Sequence, residues 1–338
     1  MAGLPGVGPG HWTGNSDAED CTIIRYFVAV IVHSICLLLK ILLVVAGPTA
    51  VGKTALCVRL AKTLQTDVVS ADSRQLYREL TIGTAKPTLE EMEGVRHHFI
   101  NSHSITDPVN AGRYERECLA LLDTLFQTKD IVILSGGTGL YINAVCNGLD
   151  DMPLVDPALR TQLLTRLQQE GLEPLQQELR QLDPVYAQSA DLQNPIRVTR
   201  ALEVCLSTGQ PYSSFRRQQT VERPFRSIMV ALDRPRPELY ERIDTRMDAM
   251  LRAGLVEEAR SLLPYRNLPA LQTVGYQEVF PYLDGQYDYE EMVRLLKRNS
   301  RRYAKRQLTW FRNQGNYTWV NPDDEAKISA MMTGLALQ

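Results

Sequence analysis

The chain has 338 residues, enough for one full α/β core with a smaller second unit. Its 44% hydrophobic and 22% charged residues are those of an ordinary soluble globular protein and exclude a fibrous or low-complexity chain. The formal net charge of −2 neither requires nor excludes a nucleic-acid partner, so the distribution of charge has to decide. The six cysteines (Cys21, Cys36, Cys57, Cys118, Cys146 and Cys205) form no C-x-x-C pair. That argues against a zinc module or a disulfide framework and fits a reducing cytoplasm.

In chain order, Met1–Gly14 is rich in Gly and Pro, and Phe27–Leu39 is apolar apart from His33 and Ser34. The apolar run is short for a membrane span, and Asp17, Glu19 and Asp20 spoil a secretory n-region. Residues 1–40 are therefore expected to be an extension that is non-native or wrongly assigned, with a hydrophobic anchor as the alternative.

Ile41–Ala46 reads as a buried strand, and Thr54–Leu64 as a helix with Leu56, Leu60, Ala61 and Leu64 on one face. Between them lies Gly47-Pro48-Thr49-Ala50-Val51-Gly52-Lys53-Thr54, which fits G-x-x-x-x-G-K-[ST]. Strand, glycine loop and helix start come in the order that makes this pattern a phosphate loop of the kind found in nucleotide- and ATP-binding proteins. Backbone N–H groups wrap a diphosphate, Lys53 adds a point charge, and the Thr54 hydroxyl can hold Mg²⁺.

Asp67–Ala71 reads as a second strand running into Asp72-Ser73-Arg74-Gln75, and Ile131–Leu134 as a third running into Ser135-Gly136-Gly137-Thr138. Ser227–Leu232 is a further strand ending at Asp233. Helical stretches near 89–94, 111–128 and 138–147 alternate with them, which predicts a mostly parallel sheet flanked by helices. Ligands of such sheets bind at the carboxyl ends of the strands, so the phosphate loop, Asp72 and Thr138 should share one crevice. Asp72 is a candidate general base or metal partner there, or else the cap of a helix beginning near Ser73. A hydrolysing phosphate-loop protein usually has an Asp where this chain has Ser135, which argues against an ATPase or GTPase.

Asp151–Gln219 begins with Met152-Pro153 and Asp156-Pro157 and carries amphipathic patterns over Leu159–Leu167 and Pro174–Leu182. It reads as a helical insertion, residues 151–219, between two parts of a core spanning 41–150 and 220–320. Arg294, Lys297, Arg298, Arg301, Arg302, Lys305, Arg306 and Arg312 follow one another with no acidic residue between Met292 and Pro322. Met292, Leu295, Leu296, Tyr303, Gln307 and Trp310 give this helix a packing face, leaving a basic face suited to phosphates. His97, His98 and His103 match no standard metal spacing and are expected to pack or cap. Residues 321–338 read as a weakly structured tail.

With these segments in order, the chain resembles the tRNA dimethylallyltransferases (tRNA isopentenyltransferases) of bacterial type. The resemblance rests on AGPTAVGKT (46–54), SADSRQLYREL (70–80), IGTAKPT (82–88), HHFI (97–100), LSGGTGLY (134–141), NPIRVTRALEV (194–204), RIDTRMDAML (242–251), TVGYQE (273–278) and YAKRQLTWFR (303–312). It implies a P-loop NTPase-like fold and transfer of a dimethylallyl group from dimethylallyl diphosphate to N6 of adenine 37, beside the anticodon. Asp72, Thr138, Lys53 and Arg246 would be the catalytic set, with Mg²⁺ at Thr54 and the donor's diphosphate in the phosphate loop. The tRNA anticodon stem-loop would touch Asp72, Ser73, Arg74, Gln75, Thr138 and Arg160. It would also meet Ile196, Arg197, Val198, Thr199 and Arg200, then Gln272, Thr273, Val274, Gly275, Tyr276 and Gln277. Ile196 departs from the polar Gln of some relatives, so one contact there is in question. The tail lacks the Cys/His zinc finger of some eukaryotic relatives. The resemblance implies a cytoplasmic enzyme with no protein partner, and nothing requires more than a monomer. The alternatives are an isopentenyltransferase of free adenine nucleotides, a small-molecule kinase and a non-catalytic RNA-binding protein.

Overall fold

The computed structural model describes residues 40–216 and 221–336, so residues 1–39 and the expectations made for them lie outside it. The strands are β1 (Ile41–Ala46), β2 (Val68–Ser70), β3 (His97–His98), β4 (Ile131–Gly136), β5 (Arg226–Leu232) and β6 (Thr318–Val320). They form one parallel sheet in the order β3-β2-β4-β1-β5-β6. Central β1 is buried along its whole length, as a strand covered on both faces must be. Its side chains alternate. Ile41, Leu43 and Val45 face a layer containing Leu56 and Leu60 of α1 (Lys53–Leu64) and Leu239 and Ile243 of α9 (Arg236–Arg252). Leu42 and Val44 face Tyr114, Cys118 and Leu122 of α3 (Ala111–Leu125) and Ile142 and Val145 of α4 (Gly139–Asn147). A parallel sheet with helices on both faces and a phosphate loop after its central strand is the P-loop NTPase-like core the sequence predicts.

Two additions sit beside this core. Helices α5 (Pro157–Glu170), α6 (Leu172–Leu182), α7 (Pro184–Ser189) and α8 (Pro195–Thr208) pack on one another around Leu163, Leu175, Leu179, Tyr186 and Leu202. Each of α5, α7 and α8 starts with Pro at its first position behind an Asp or Asn that caps the free amides. The second addition joins α10 (Leu255–Ser261) and α11 (Tyr276–Leu283) to α9 and to the long α12 (Tyr289–Asn313) through Met250, Leu255, Tyr276 and Leu296.

Several expectations need correction. The polar two-residue β3 and the three-residue β6 both lie at sheet edges and were not foreseen. The residues from Ser73 onward form a turn, not a helix. The stretch near 89–94 is a single turn, α2 (Leu89–Met92), held by the Thr88–Glu91 capping box. After Val320 the chain forms α13 (Glu325–Ala336), where a weakly structured tail was expected. The buried face of α12 is Met292, Leu296, Ser300, Ala304, Gln307 and Phe311, with Leu295, Tyr303 and Trp310 half-buried. Its charge is also less unopposed than the linear sequence suggests. Lys297 pairs with Asp248 and Arg301 with Asp244, both on α9, Arg312 pairs with Asp233, and Arg294 pairs with Glu291 within the helix.

Candidate active site

The site is built at the carboxyl ends of β1, β2 and β4. Leaving β1, the chain turns through Gly47, Ala50 and Gly52, whose φ angles of 154°, 63° and 110° set the loop's path. Gly52 precedes α1 with no side chain capping the helix, so its first amides are free to meet an anion. The loop's carbonyls are held by cations. Lys53 Nζ donates to Gly47 O (3.0 Å) and Pro48 O (2.7 Å), Arg242 Nε to Ala50 O (2.9 Å) and Arg234 Nε to Val51 O (2.8 Å). Arg246 donates to the Thr49 hydroxyl at 3.3 Å. Burial pushes the Lys53 ammonium down to about 8 against the opposing pull of Asp72, and burial likewise lowers Arg246.

Leaving β2, the chain reaches Asp72. One carboxylate oxygen accepts from Arg74 N (2.9 Å) and Gln75 N (3.3 Å), which fixes the side chain over its own turn. The capping role foreseen for Asp72 thus exists, but it serves a turn, and the second oxygen remains for chemistry. Leaving β4, Gly136 crosses β2 so closely that a Cβ there would lie 2.1 Å from Ala71 O. This crossing brings Thr138 beside Asp72: Thr138 N donates to Ala71 O (3.2 Å), and its hydroxyl oxygen accepts from Ser73 N (3.0 Å).

Thr49–Thr54 of the loop, Asp72, Arg242 and Arg246 line one cavity of about 280 Å³, to which β4 contributes Ser135 and Gly136, while Thr138 and Arg234 are not part of its lining. Its cationic wall contains Lys53, Arg242 and Arg246, Thr54 lies at the loop's end, and Asp72, Arg74 and Gln75 complete the polar lining. Met247, Met250, Ile100 and Val274 add apolar surface, and Tyr303 reaches in from α12 with its phenol pushed up to about 12 by burial and the nearby Asp72. A diphosphate bound to a small apolar group matches this division of the lining.

Thr273, Val274 and Gly275 also line the cavity, while Gln272 and Gln277 are exposed beside it and bonded to each other at 3.1 Å. Tyr276 is a correction. It is fully buried against Gly83 with its hydroxyl on Glu258 (2.7 Å), so it supports the site from beneath and offers no side chain to RNA. Val198 and Thr199 are corrected in the same way, because both side chains are buried on α8. Ile196 and Arg197 are exposed there, Arg200 is partly exposed and pairs with Glu203, and exposed Arg160 lies 3.6 Å from Glu203. The latter residues sit on the α5–α8 cluster, outside the cavity lining. The histidines bind no common centre: His98 pairs with Asp67 and His103 with Glu117.

Gln307, Arg234, Arg242, Met247 and Met250 were not singled out as functional in the sequence. Only the helical spacing of Arg242 and Met250, each four residues from Arg246, could have pointed to any of them.

The IPP transferase family profile matches residues 75–314. A tRNA dimethylallyltransferase of Cytophaga hutchinsonii is 55% identical over 293 residues, covering 87% of this chain and 96% of that protein. The tRNA dimethylallyltransferase 1 of Phocaeicola vulgatus is 49% identical over 287 residues, covering 85% and 96%. Among solved structures, the tRNA isopentenylpyrophosphate transferase of Bacillus halodurans is 39% identical with a TM-score of 0.64, covering 88% of this chain and 96% of its own. A eukaryotic dimethylallyltransferase captured acting on tRNA is 27% identical with a TM-score of 0.71, covering 85% and 75%.

Proposed function

The chain belongs to the tRNA dimethylallyltransferase family and is a prenyl-transferring enzyme that acts on tRNA, and from that premise we propose how its own residues carry the reaction. The donor is dimethylallyl diphosphate, with its diphosphate in the loop Gly47–Thr54 and its apolar end against Met247, Met250 and Val274. The acceptor is N6 of adenine 37 in the anticodon loop, extruded from its stack into the cavity. As the N6–C1 bond forms, the C1–O bond to the diphosphate breaks. Asp72 takes the N6 proton, Thr138 positions the base, and Lys53, Arg242 and Arg246 meet the charge growing on the leaving diphosphate. The apolar lining keeps water from an allylic carbon that gains positive charge.

The observation that carries this reading is the convergence of three strand ends on one cavity with a cationic wall, an apolar lining and a carboxylate. A magnesium ion fits the donors present: the Thr54 hydroxyl is a hard oxygen at the end of the phosphate loop, and the free Asp72 oxygen is kept for the N6 proton. Bound there, Mg²⁺ supplies neutralisation of the leaving diphosphate. Arg160, Ile196, Arg197 and Arg200 on the α5–α8 cluster, Gln272 and Gln277 beside the cavity, and Arg302, Lys305 and Arg306 on α12 form the proposed surface for the anticodon stem-loop. Four buried free thiols among the described residues support a cytoplasmic setting.

The test uses prenyl-labelled dimethylallyl diphosphate, Mg²⁺ and three acceptors: a stem-loop carrying A36-A37-A38, its A37→G form, and AMP. Label in the A37 RNA alone is the expected result. Label in AMP alone would move the chain to the free-nucleotide reaction.

A further inference from the structure

We propose that Gln307 is a positioning residue, a buried amide that holds the diphosphate subsite and the acceptor subsite in register. The inference rests on the reading above. Gln307 lies on α12 with 7% of its surface exposed. Its Oε1 accepts from Thr49 N at 3.0 Å, and its Nε2 donates to Gly137 O at 3.0 Å. Thr49 belongs to the phosphate loop, and its hydroxyl receives Arg246. Gly137 immediately precedes Thr138, which is tied to the backbone of Ser73 beside Asp72. One side chain therefore joins the two loops that must hold the two substrates.

The chemistry of the link is selective. A planar amide presents an acceptor and a donor side by side at every accessible pH, as these two partners require. A carboxylate could accept from Thr49 N but would face the Gly137 carbonyl with a second acceptor, and a thioether offers a weak acceptor to Thr49 N and no donor to Gly137 O. The space is equally committed, because a Cβ on Gly137 would lie 2.3 Å from Nε2. Gly137 thus makes room for the amide. A displacement of about 1 Å between reacting groups can cost about 10²-fold in rate, so such a link matters even though Gln307 need not touch either substrate.

The experiment compares wild type, Gln307→Met and Gln307→Glu in the full chain. It measures melting, affinity for a non-transferring prenyl thiodiphosphate, tRNA affinity, and single-turnover transfer. For Gln307→Met the expected result is a folded protein whose saturated transfer rate falls about 10²-fold, while both affinities stay within about threefold. Gln307→Glu supplies a readout that simple packing would not move. Its protonated form restores an O–H donor to Gly137 O, so its rate relative to wild type should climb as pH falls. The charged and titratable groups of the cavity (Lys53, Cys57, Asp72, Arg74, Glu91, His97, Arg242, Arg246 and Tyr303) are present in all three proteins, and the pH profile of Gln307→Met, which adds no titratable group, reports what they contribute.

Folded Gln307→Met with wild-type turnover would overturn the proposal, as would a Gln307→Glu ratio that is flat with pH. If wild type itself transferred no prenyl group, the proposed function would fail. Amide exchange at Thr49 would then judge the link, with unchanged exchange in Gln307→Met refuting it.

Discussion

Replacing Gly136 by alanine should damage both folding and turnover, because the two depend on the same crossing of strands. The added Cβ would sit 2.1 Å from Ala71 O, 2.4 Å from Ala71 C and 2.8 Å from Ala71 Cα. All three are backbone atoms at the end of β2, so no side chain can swing aside. Ordinary carbon contacts need about 3.5 Å, so β2 and β4 would have to part by about 1 Å at this point. Ser70 and Ser135 are paired here, and Ala71 N donates to Ser135 O at 2.7 Å, so parting strains the ladder at the carboxyl ends of two interior strands. Overpacking of this kind typically costs about 1–3 kcal/mol. The same shift separates Asp72 from Thr138, so turnover of the folded fraction should fall by about 10²-fold. Urea melting with single-turnover transfer reads both effects. Gly112→Ala is the control: it lies in the first turn of α3, its nearest neighbours would be 3.7 and 3.8 Å away, and it should stabilise the protein by up to about 1 kcal/mol without changing turnover. A Gly136→Ala protein with wild-type melting and turnover would refute the argument.

Asp72→Asn should lower the single-turnover rate by about 10²–10⁴-fold with donor affinity retained; near-normal turnover at saturating Mg²⁺ would remove the general-base role. Because the Lys53 ammonium is pushed down to about 8 by burial, kcat/KM for the donor should fall as pH rises through that value. The charge of a bound diphosphate raises that pKa, so kcat should stay level to higher pH, and Lys53→Arg should lose the step in kcat/KM. The sign for stability is opposite: an unfolded lysine holds its proton to about 10.5, so the shifts at Lys53 and Lys86 make stability rise with pH between about 8 and 10.5, as urea titrations would read. Arg197→Ala should weaken tRNA binding and reduce the slope of log K against log salt by about 1, leaving donor affinity unchanged; an unchanged slope would take Arg197 off the RNA surface.

Much of this site was legible because its signals are local. A strand, a glycine loop and a helix start occupy one short window, and Asp72 and Thr138 follow their strands directly. The edge strands were not legible for the opposite reason. His97–His98 is polar and two residues long, and Thr318–Val320 offers only three residues to a periodicity argument. Gln307 looked like a packing residue because its partners lie 258 and 170 residues away, beyond any sequence window. The basic run on α12 misled by the same limit. Asp244 and Asp248 are spaced i, i+4 on α9, matching Arg301 and Lys297 on α12, and only the packing of the two helices reveals the pairing. Tyr276 and Val198 show the converse, since a motif that contributes to a site can also contain residues that only support it.

The most direct measurement follows the fate of the donor. Dimethylallyl diphosphate labelled separately in its prenyl group and its diphosphate is mixed with the A37 stem-loop and enzyme, beside a reaction with γ-labelled ATP. The account predicts prenyl label in the RNA, intact diphosphate released in equal amount, and no phosphate moved from ATP. Phosphate label in an acceptor, or no prenyl label in the RNA, would contradict it.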